Sequence, residues 1–369
     1  MAKVQTRQVA CTDRRPWRAA VALATLMLLA VLIGLGFVNL ASLPGDVANA
    51  PNAGDIALYK RIIANVQGGE SYYTAAIREL RENNYPLRPF VVVRPPVLAV
   101  ALAAISDEMV RRALLSMLAA VTFLAWAWRL RAAVSSPVLY AFSLMVLATG
   151  IAPAIVPQAW PLHEVWAGLL IALSLAVRRP NAWIVAVILG VAAAIIRELA
   201  AAYLLAMMVM AFKDGWRKEA AAWALGLLIF AAALAVHAHN VNLLVTPADP
   251  ASPSWLRIGG WSFVLQTMQW NLLIEAAPRW VSVIVVPLAL AGLTGRRDDL
   301  GQRVMLVVFG YIAAFIFVGR DNNSYWGLMI APLWPLGLVT AWPALARCVA
   351  DLRASLVPKD AQPGTPAKG

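Results

Sequence analysis

Long apolar runs separated by short polar clusters dominate the chain. Candidate spans fall at roughly 17–40, 112–128, 137–156, 161–177, 181–196, 199–213, 220–237, 279–294, 302–318 and 326–346. Runs of about 17 to 20 apolar residues match the hydrocarbon thickness of a bilayer. They do not alternate with the two-residue period of a membrane barrel strand. The pattern predicts an all-α polytopic membrane protein of about ten transmembrane helices, with re-entrant and interfacial helices and no large soluble domain.

One further apolar stretch, 91–105, decides the sidedness of everything after it. It opens with Arg94-Pro95-Pro96 and is short for a crossing. If it does not cross, the basic loops at Arg129/Arg131, Arg178/Arg179, Lys213–Lys218 and Arg296–Arg303 share one side with the N-terminus. Lys/Arg bias in short loops makes that side cytoplasmic. Residues 91–105 therefore read as re-entrant or interfacial, and both termini as cytoplasmic. Arg14, Arg15 and Arg18 before the first span agree with this.

The threading divides the chain into a cytoplasmic segment at 1–16, a transmembrane module at 17–240 with an outer loop at 41–90, a second module at 241–348 with an outer loop at 241–278, and a cytoplasmic tail at 349–369. Within the first loop, apolar positions recur as Ile56, Tyr59, Ile62 and Ile63, and a second helical piece follows at Tyr72–Glu82. Two short amphipathic helices on the membrane surface account for this. The second loop holds Trp255, Trp261 and Trp270 among prolines and reads as an interfacial helix or lid. The tail from Pro358 to Gly369 has the composition of a disordered end.

Composition sharpens this picture. Hydrophobic residues make up 61% of the chain and charged residues 14%, against roughly half and a quarter in a soluble domain. The net charge of +12 sits in clusters between apolar runs, which excludes a continuous nucleic-acid face. Cys11 and Cys348 lie near opposite ends, both on the cytoplasmic side, without metal-ligand spacing or an expected disulfide.

Five polar clusters converge on the outer face: Asp55, His163-Glu164, Arg197-Glu198, His237-Ala238-His239-Asn240 and Arg320-Asp321-Asn322-Asn323. Arg197-Glu198 interrupts an otherwise apolar run, and a charge pair there is costly unless it faces protein, water or substrate. Two short helices meeting at the pair would place it in a cavity. Each cluster also has an ordinary reading. Asp55 would cap a helix beginning at Ile56, and His163-Glu164 would begin a helix after Pro161. Arg197-Glu198 would tie two helices together, the histidines would be interface residues, and Arg320–Asn323 would be a polar turn.

A membrane transporter or flippase for a lipid-linked or anionic substrate would use buried ion pairs in broken helices. An enzyme acting on a lipid-linked donor accounts better for polar groups gathered at one face. Asp55 would be the general base on an acceptor hydroxyl, and Arg320 and Arg197 would bind the departing phosphate through their fixed guanidinium forks. Asn323, Tyr325 and Trp326 would face a sugar, with Tyr59 beside them. No Gly-rich phosphate loop suggests a nucleotide-sugar site.

This order of helix, Asp-containing outer loop, Arg-Pro-Pro before a short apolar helix, and a second acidic motif resembles the GT-C superfamily of integral-membrane glycosyltransferases. The resemblance covers roughly residues 17–240 in arrangement. It implies a polyprenyl-phosphate sugar donor, a lipid or glycan acceptor of the cell envelope, and transfer at the extracytoplasmic face of a bacterial inner membrane. On this resemblance Asp55 matches the first-loop catalytic carboxylate. Glu164, with His163 beside it, matches the second acidic position. Arg94 matches the basic residue before Pro-Pro, and Glu198 helps shape the donor or acceptor site. A single first-loop Asp and the lack of a large C-terminal domain depart from protein mannosyltransferases and oligosaccharyltransferases. A hexosyl-, mannosyl- or arabinosyltransferase remains. Asp55 and Glu164 could hold Mg or Mn against the donor phosphate, or Arg320 could supply that charge alone; the balance favours no required metal.

Overall fold

Prolines and short polar caps set the helix boundaries. A computed structural model describes residues 15–42, 52–254 and 256–356. The N-terminal segment up to Arg14, the prolines Pro44 and Pro51, Trp255, and the proposed disordered end lie outside these residues. Helix α1 (Arg15–Val38) is followed by α2 (Asn52–Gln67), α3 (Tyr72–Glu82) and α4 (Pro96–Ala103). Next come α5 (Glu108–Ala133), α6 (Pro137–Ile151), α7 (His163–Val177), α8 (Ile184–Ile196), α9 (Ala201–Lys213) and α10 (Arg217–Leu244). The chain continues through α11 (Gly260–Met268), α12 (Leu272–Glu275), α13 (Arg279–Leu293), α14 (Asp299–Phe317) and α15 (Leu338–Leu356).

Local chemistry starts several of these helices. Asp107 accepts from the Met109 N–H at 2.6 Å to cap α5, and Asp298 accepts from the Gly301 N–H at 3.3 Å to cap α14. Pro96 and Pro137 occupy first-turn positions in α4 and α6, where a missing N–H costs nothing.

The architecture is all-α, as the apolar pattern predicts, but the described residues do not form the expected ten spans. Among the described residues, five helices are long and apolar enough to cross a membrane: Trp17–Val38, Glu108–Ala133, Pro137–Ile155, Arg217–Leu244 and Asp299–Phe317. A sixth arises only if two pieces bent by 60°, Asn322–Met329 and Trp334–Leu356, form one broken crossing. The discrepancy is one of length. Helices α7 and α13 have 15 residues and α8 and α9 have 13. At 1.5 Å per residue these reach about 20 to 23 Å, short of a hydrocarbon core about 30 Å thick. Apolarity in α7 reflects burial in protein instead: nearly every residue from His163 to Ala176 is enclosed. Outward-facing Leu228 of α10 and Leu124 of α5, in contrast, are largely exposed, as expected for lipid-facing helices. The eight-residue α4 is too short to cross alone.

The expected span at 326–346 is the clearest departure. Residues Asp321–Met329 and Trp334–Gly337 are short 3-10 segments, and the stretch from Tyr325 to Gly337 is buried. Two glycines let this segment pass through the core. A Cβ at Gly168 of α7 would lie 2.2 Å from the Leu328 carbonyl oxygen, and one at Gly327 would lie 1.8 Å from that of Thr267 in α11. The predicted interfacial helix or lid of the second loop is corrected likewise. In α11 the six residues from Phe263 to Met268 are buried, packed on α14 and the 3-10 segment.

The basic clusters at the opposite end are more than surface loops. Arg178 makes a bidentate pair with Glu219 at 2.7 and 3.1 Å and also meets Asp299. Arg303 lies within α14, fully buried, and joins Asp214 at 2.6 Å and Asp299 at 3.0 Å. The ends of α7, α9, α10 and α14 are thereby tied together.

Candidate functional site

The first polar segment folds as a helical hairpin whose inner face builds one wall of a cavity. Helix α2 begins at Asn52, so Asp55 lies within its first turn and is not the cap of a helix starting at Ile56. Asp55 and Tyr59 are one turn apart and share a face. Helix α3 matches the predicted Tyr72–Glu82, capped by Ser71, whose hydroxyl accepts from the Thr74 N–H. It buries Tyr72, Ala76 and Leu80 toward α2 and α4.

A clasp holds the second loop against this hairpin. Arg81 of α3 donates to both carboxylate oxygens of Asp249, at 2.7 and 2.8 Å. Bonds from Arg81 and from the Thr246 N–H hold the Asp249 carboxyl well below its usual range. The Leu87 N–H donates to the Pro250 carbonyl at 2.9 Å, and the Ser252 N–H to the Arg88 carbonyl at 2.6 Å. The pairing delivers Ser252 to the rim of the site.

The cavity has a volume of about 120 Å³, is lined in part by α3, and takes its polar groups from separate stretches of chain. Asp55 and Tyr59 come from α2, Arg94 from the turn into α4, Ser252 from the second loop, and Arg320, Asn323, Tyr325 and Trp326 from the 3-10 segment. Arg94 is the hub. Its Nε donates to Tyr59 Oη at 3.0 Å and one Nη to Tyr325 Oη at 2.8 Å. Tyr72 fixes the Arg94 backbone by donating to its carbonyl at 2.6 Å. Because Arg94 fills an acceptor site on Tyr325, the phenolic proton is free to point at Asp55 Oδ2, 3.2 Å away.

Burial pushes the Asp55 carboxyl above the ordinary aspartate range, and Arg94 and the hydroxyls of Tyr85 and Tyr325 hold the rise in check. Burial pushes the Tyr59 phenol up to about 12, so it remains a proton donor at neutral pH. Arg320 donates to Ser252 Oγ at 3.0 Å, while its Nε and the indole N–H of Trp326 are buried donors with no protein acceptor among the described residues. Two such donors on one wall favour an oxygen-rich ligand.

Behind the wall lies a second charged group. Glu164 and Arg197 are fully enclosed and joined at 2.6 Å, and Arg197 also pairs with Glu198. Arg94 faces both carboxylates at 3.8 Å. As the sequence predicts, α8 and α9 break at Arg197-Glu198, and α7 begins at His163 after Pro161. Arg197 does not line the cavity, however; it lies 5.9 Å from the Trp326 ring, and its charge is taken up by glutamates. His163 packs edge-on against Tyr59 with ring centres 5.2 Å apart. His237 contacts the Val93 carbonyl and Tyr73 hydroxyl, whereas His239 is exposed. No group of three or more His, Cys, Asp or Glu suited to a metal occurs among the described residues.

Sequence reasoning therefore finds the cavity residues Asp55, Tyr59, Arg94, Arg320, Asn323, Tyr325 and Trp326, and the supporting residues His163, Glu164, Arg197 and Glu198. It misses Tyr85 and Ser252. Neither carries a motif, and only the pairing of two loops far apart in sequence brings Ser252 into place. No protein family, curated protein or solved structure matches the chain.

Proposed function

We propose that the protein is a glycosyltransferase that moves a hexose, mannose or arabinose from a polyprenyl-phosphate donor to an envelope lipid or glycan. The observation that carries this reading is a cavity with a poised carboxylate, Asp55, and a guanidinium, Arg320, on its walls. Asp55 accepts the proton of the acceptor hydroxyl as that oxygen bonds to the sugar C1. The bond from C1 to the phosphate oxygen breaks, and polyprenyl phosphate leaves with the electron pair. Arg320 meets the growing negative charge on the phosphate, and the Trp326 indole offers a further donor. Tyr325 and Tyr59 hold the sugar-facing wall through Arg94.

Arg197 takes a different role from the phosphate ligand that the sequence suggests. Enclosed between Glu164 and Glu198, it sets the position of Arg94 through those carboxylates. Glu164 is committed to Arg197, so this reading routes no step through a metal. A carrier is the second reading, favoured by the ion pair at the break between α8 and α9.

The deciding experiment supplies purified protein in lipid nanodiscs with radiolabelled polyprenyl-phosphate hexoses, mannose and arabinose, together with extracted envelope lipids. Labelled glycolipid and free polyprenyl phosphate appear together if the proposal holds. Donor movement across sealed vesicles without any labelled product would establish the carrier instead.

A further inference from the structure

A large groove lies at the opposite end of the molecule, among helices that take no part in the polar cavity. It has a volume of about 940 Å³ and is formed by the starts of α1 and the ends of α13 and α15. Its apolar lining includes Val21 and Ala22 of α1, Ala291 of α13 and Ala344 of α15. Its mouth is cationic: Arg18, Arg297 and Arg347 oppose one carboxylate, Asp351. All three guanidiniums belong to exposed residues, and Arg347 is held there by donating to the Gly295 carbonyl at 3.1 Å.

The same end carries Arg178, Arg179, Lys213, Arg217 and Lys218, since α14 begins two residues after Arg297 and its Asp299 meets Arg178. Lys/Arg-rich ends of membrane helices face the cytoplasm, where the leaflet is anionic. Trp17, half exposed beside Arg18, has the amphipathic character of a headgroup-level anchor. An apolar slot crowned by planar donors fits a molecule with acyl chains and a phosphate.

We propose that this groove is a binding site for an anionic phospholipid of the inner leaflet. Its phosphate sits among Arg18, Arg297 and Arg347, and its chains lie along α1 and α15. Three arginines against one aspartate leave two net positive charges. At roughly fivefold per net charge, the preference for an anionic over a zwitterionic lipid is about thirtyfold. The site is independent of the proposed transfer reaction, because no residue is shared with the polar cavity.

The test is competition of phosphatidylglycerol against phosphatidylcholine for delipidated full-length protein, read by native mass spectrometry. A brominated phosphatidylglycerol, which quenches tryptophan, locates the bound lipid beside Trp17. Wild type should retain phosphatidylglycerol, and the preference should collapse in R18Q/R297Q/R347Q. The variant R217Q/K218Q, altered elsewhere at the same end, should keep it. Should the triple variant fail to fold, W17F in the otherwise native protein reports the location, because the quenching assigned to the groove disappears. Equal retention of both lipids by wild type would overturn the proposal. So would displacement by millimolar inorganic phosphate, which would mark a site for a free anion, or a dimer sealed through the groove that excludes lipid.

Discussion

The hydroxyl of Tyr325 donates to Asp55 Oδ2 across 3.2 Å, joining residues 270 positions apart in the chain. The same hydroxyl accepts from Arg94 at 2.8 Å, so the orientation of the proposed base depends on a cation that is itself fixed by Tyr59 and Tyr72. The carboxylate is thus held by three elements, and its protonation and its position can be altered separately.

Asp55→Asn retains the size of the side chain and removes its basicity. Transfer from a polyprenyl-phosphate sugar should fall by about 10²- to 10⁴-fold, the usual contribution of a positioned general base. Donor binding and thermal stability should stay near wild type. Full turnover by the variant would remove Asp55 from the chemistry.

The raised Asp55 carboxyl gives a pH signature that needs no substrate. Carbodiimide labels protonated buried carboxyls, so modification of Asp55 should persist above the ordinary aspartate range near pH 4. Tyr85→Phe deletes a hydrogen bond that favours the charged form, and the labelling profile should move to higher pH. The folded protein holds this proton more tightly than the unfolded chain. Its stabilising contribution is therefore present at low pH and is lost as pH rises through the folded-state value. A profile unchanged in Tyr85→Phe would exclude this hydrogen bond as a determinant.

Arg320 and Arg197 should separate cleanly. Arg320→Ala should weaken donor affinity and turnover with little change in melting temperature, and Arg320→Lys should restore only part of the loss, because charge returns without the fork. Arg197→Ala should instead destabilise by about 3 to 5 kcal/mol, since it strands the enclosed Glu164. Pairing Arg197→Met with Glu164→Gln should recover much of that stability. A stable Arg197→Ala with impaired donor binding would reverse these assignments.

The clasp between Arg81 and Asp249 predicts acid sensitivity of the loop arrangement. Asp249 is held below its usual range, so its contribution is present above the ordinary aspartate value and is lost as pH falls through the folded-state value. Cysteines introduced at solvent-facing Glu82 and Pro253 should report loop separation by distance spectroscopy at low pH. Asp249→Asn should show the same separation at neutral pH. Identical distances in all three samples would show that the backbone bonds from Leu87 and Ser252 suffice.

Much of the site was legible because its polar residues interrupt apolar sequence. Arg197-Glu198 announces the break between α8 and α9, and Pro161 announces the start of α7 at His163. The span count was not legible. Apolar residues of α7 and of the 325–337 stretch are equally suited to lipid and to a protein interior, and periodicity does not distinguish these solvents. Hydrophobicity also hid Arg303, whose place in an apparent basic loop gave no sign that it is buried and paired with Asp214 at the end of α9 and Asp299 at the start of α14. Tyr85 and Ser252 reach the cavity through tertiary contacts that leave no local pattern.

The buried passage of residues 323–337 also bears on biogenesis. A nascent chain that has emerged only to Phe317 already contains Asp55, Arg94 and Glu164, but it lacks Arg320, Tyr325 and Trp326. The segment that brings them fits between α7 and α11 at Gly168 and Gly327, so those helices must admit it before they close. Translation order therefore delays assembly of the cavity: Asp55, Tyr325 and Arg320 meet only after the late part of the chain has been made.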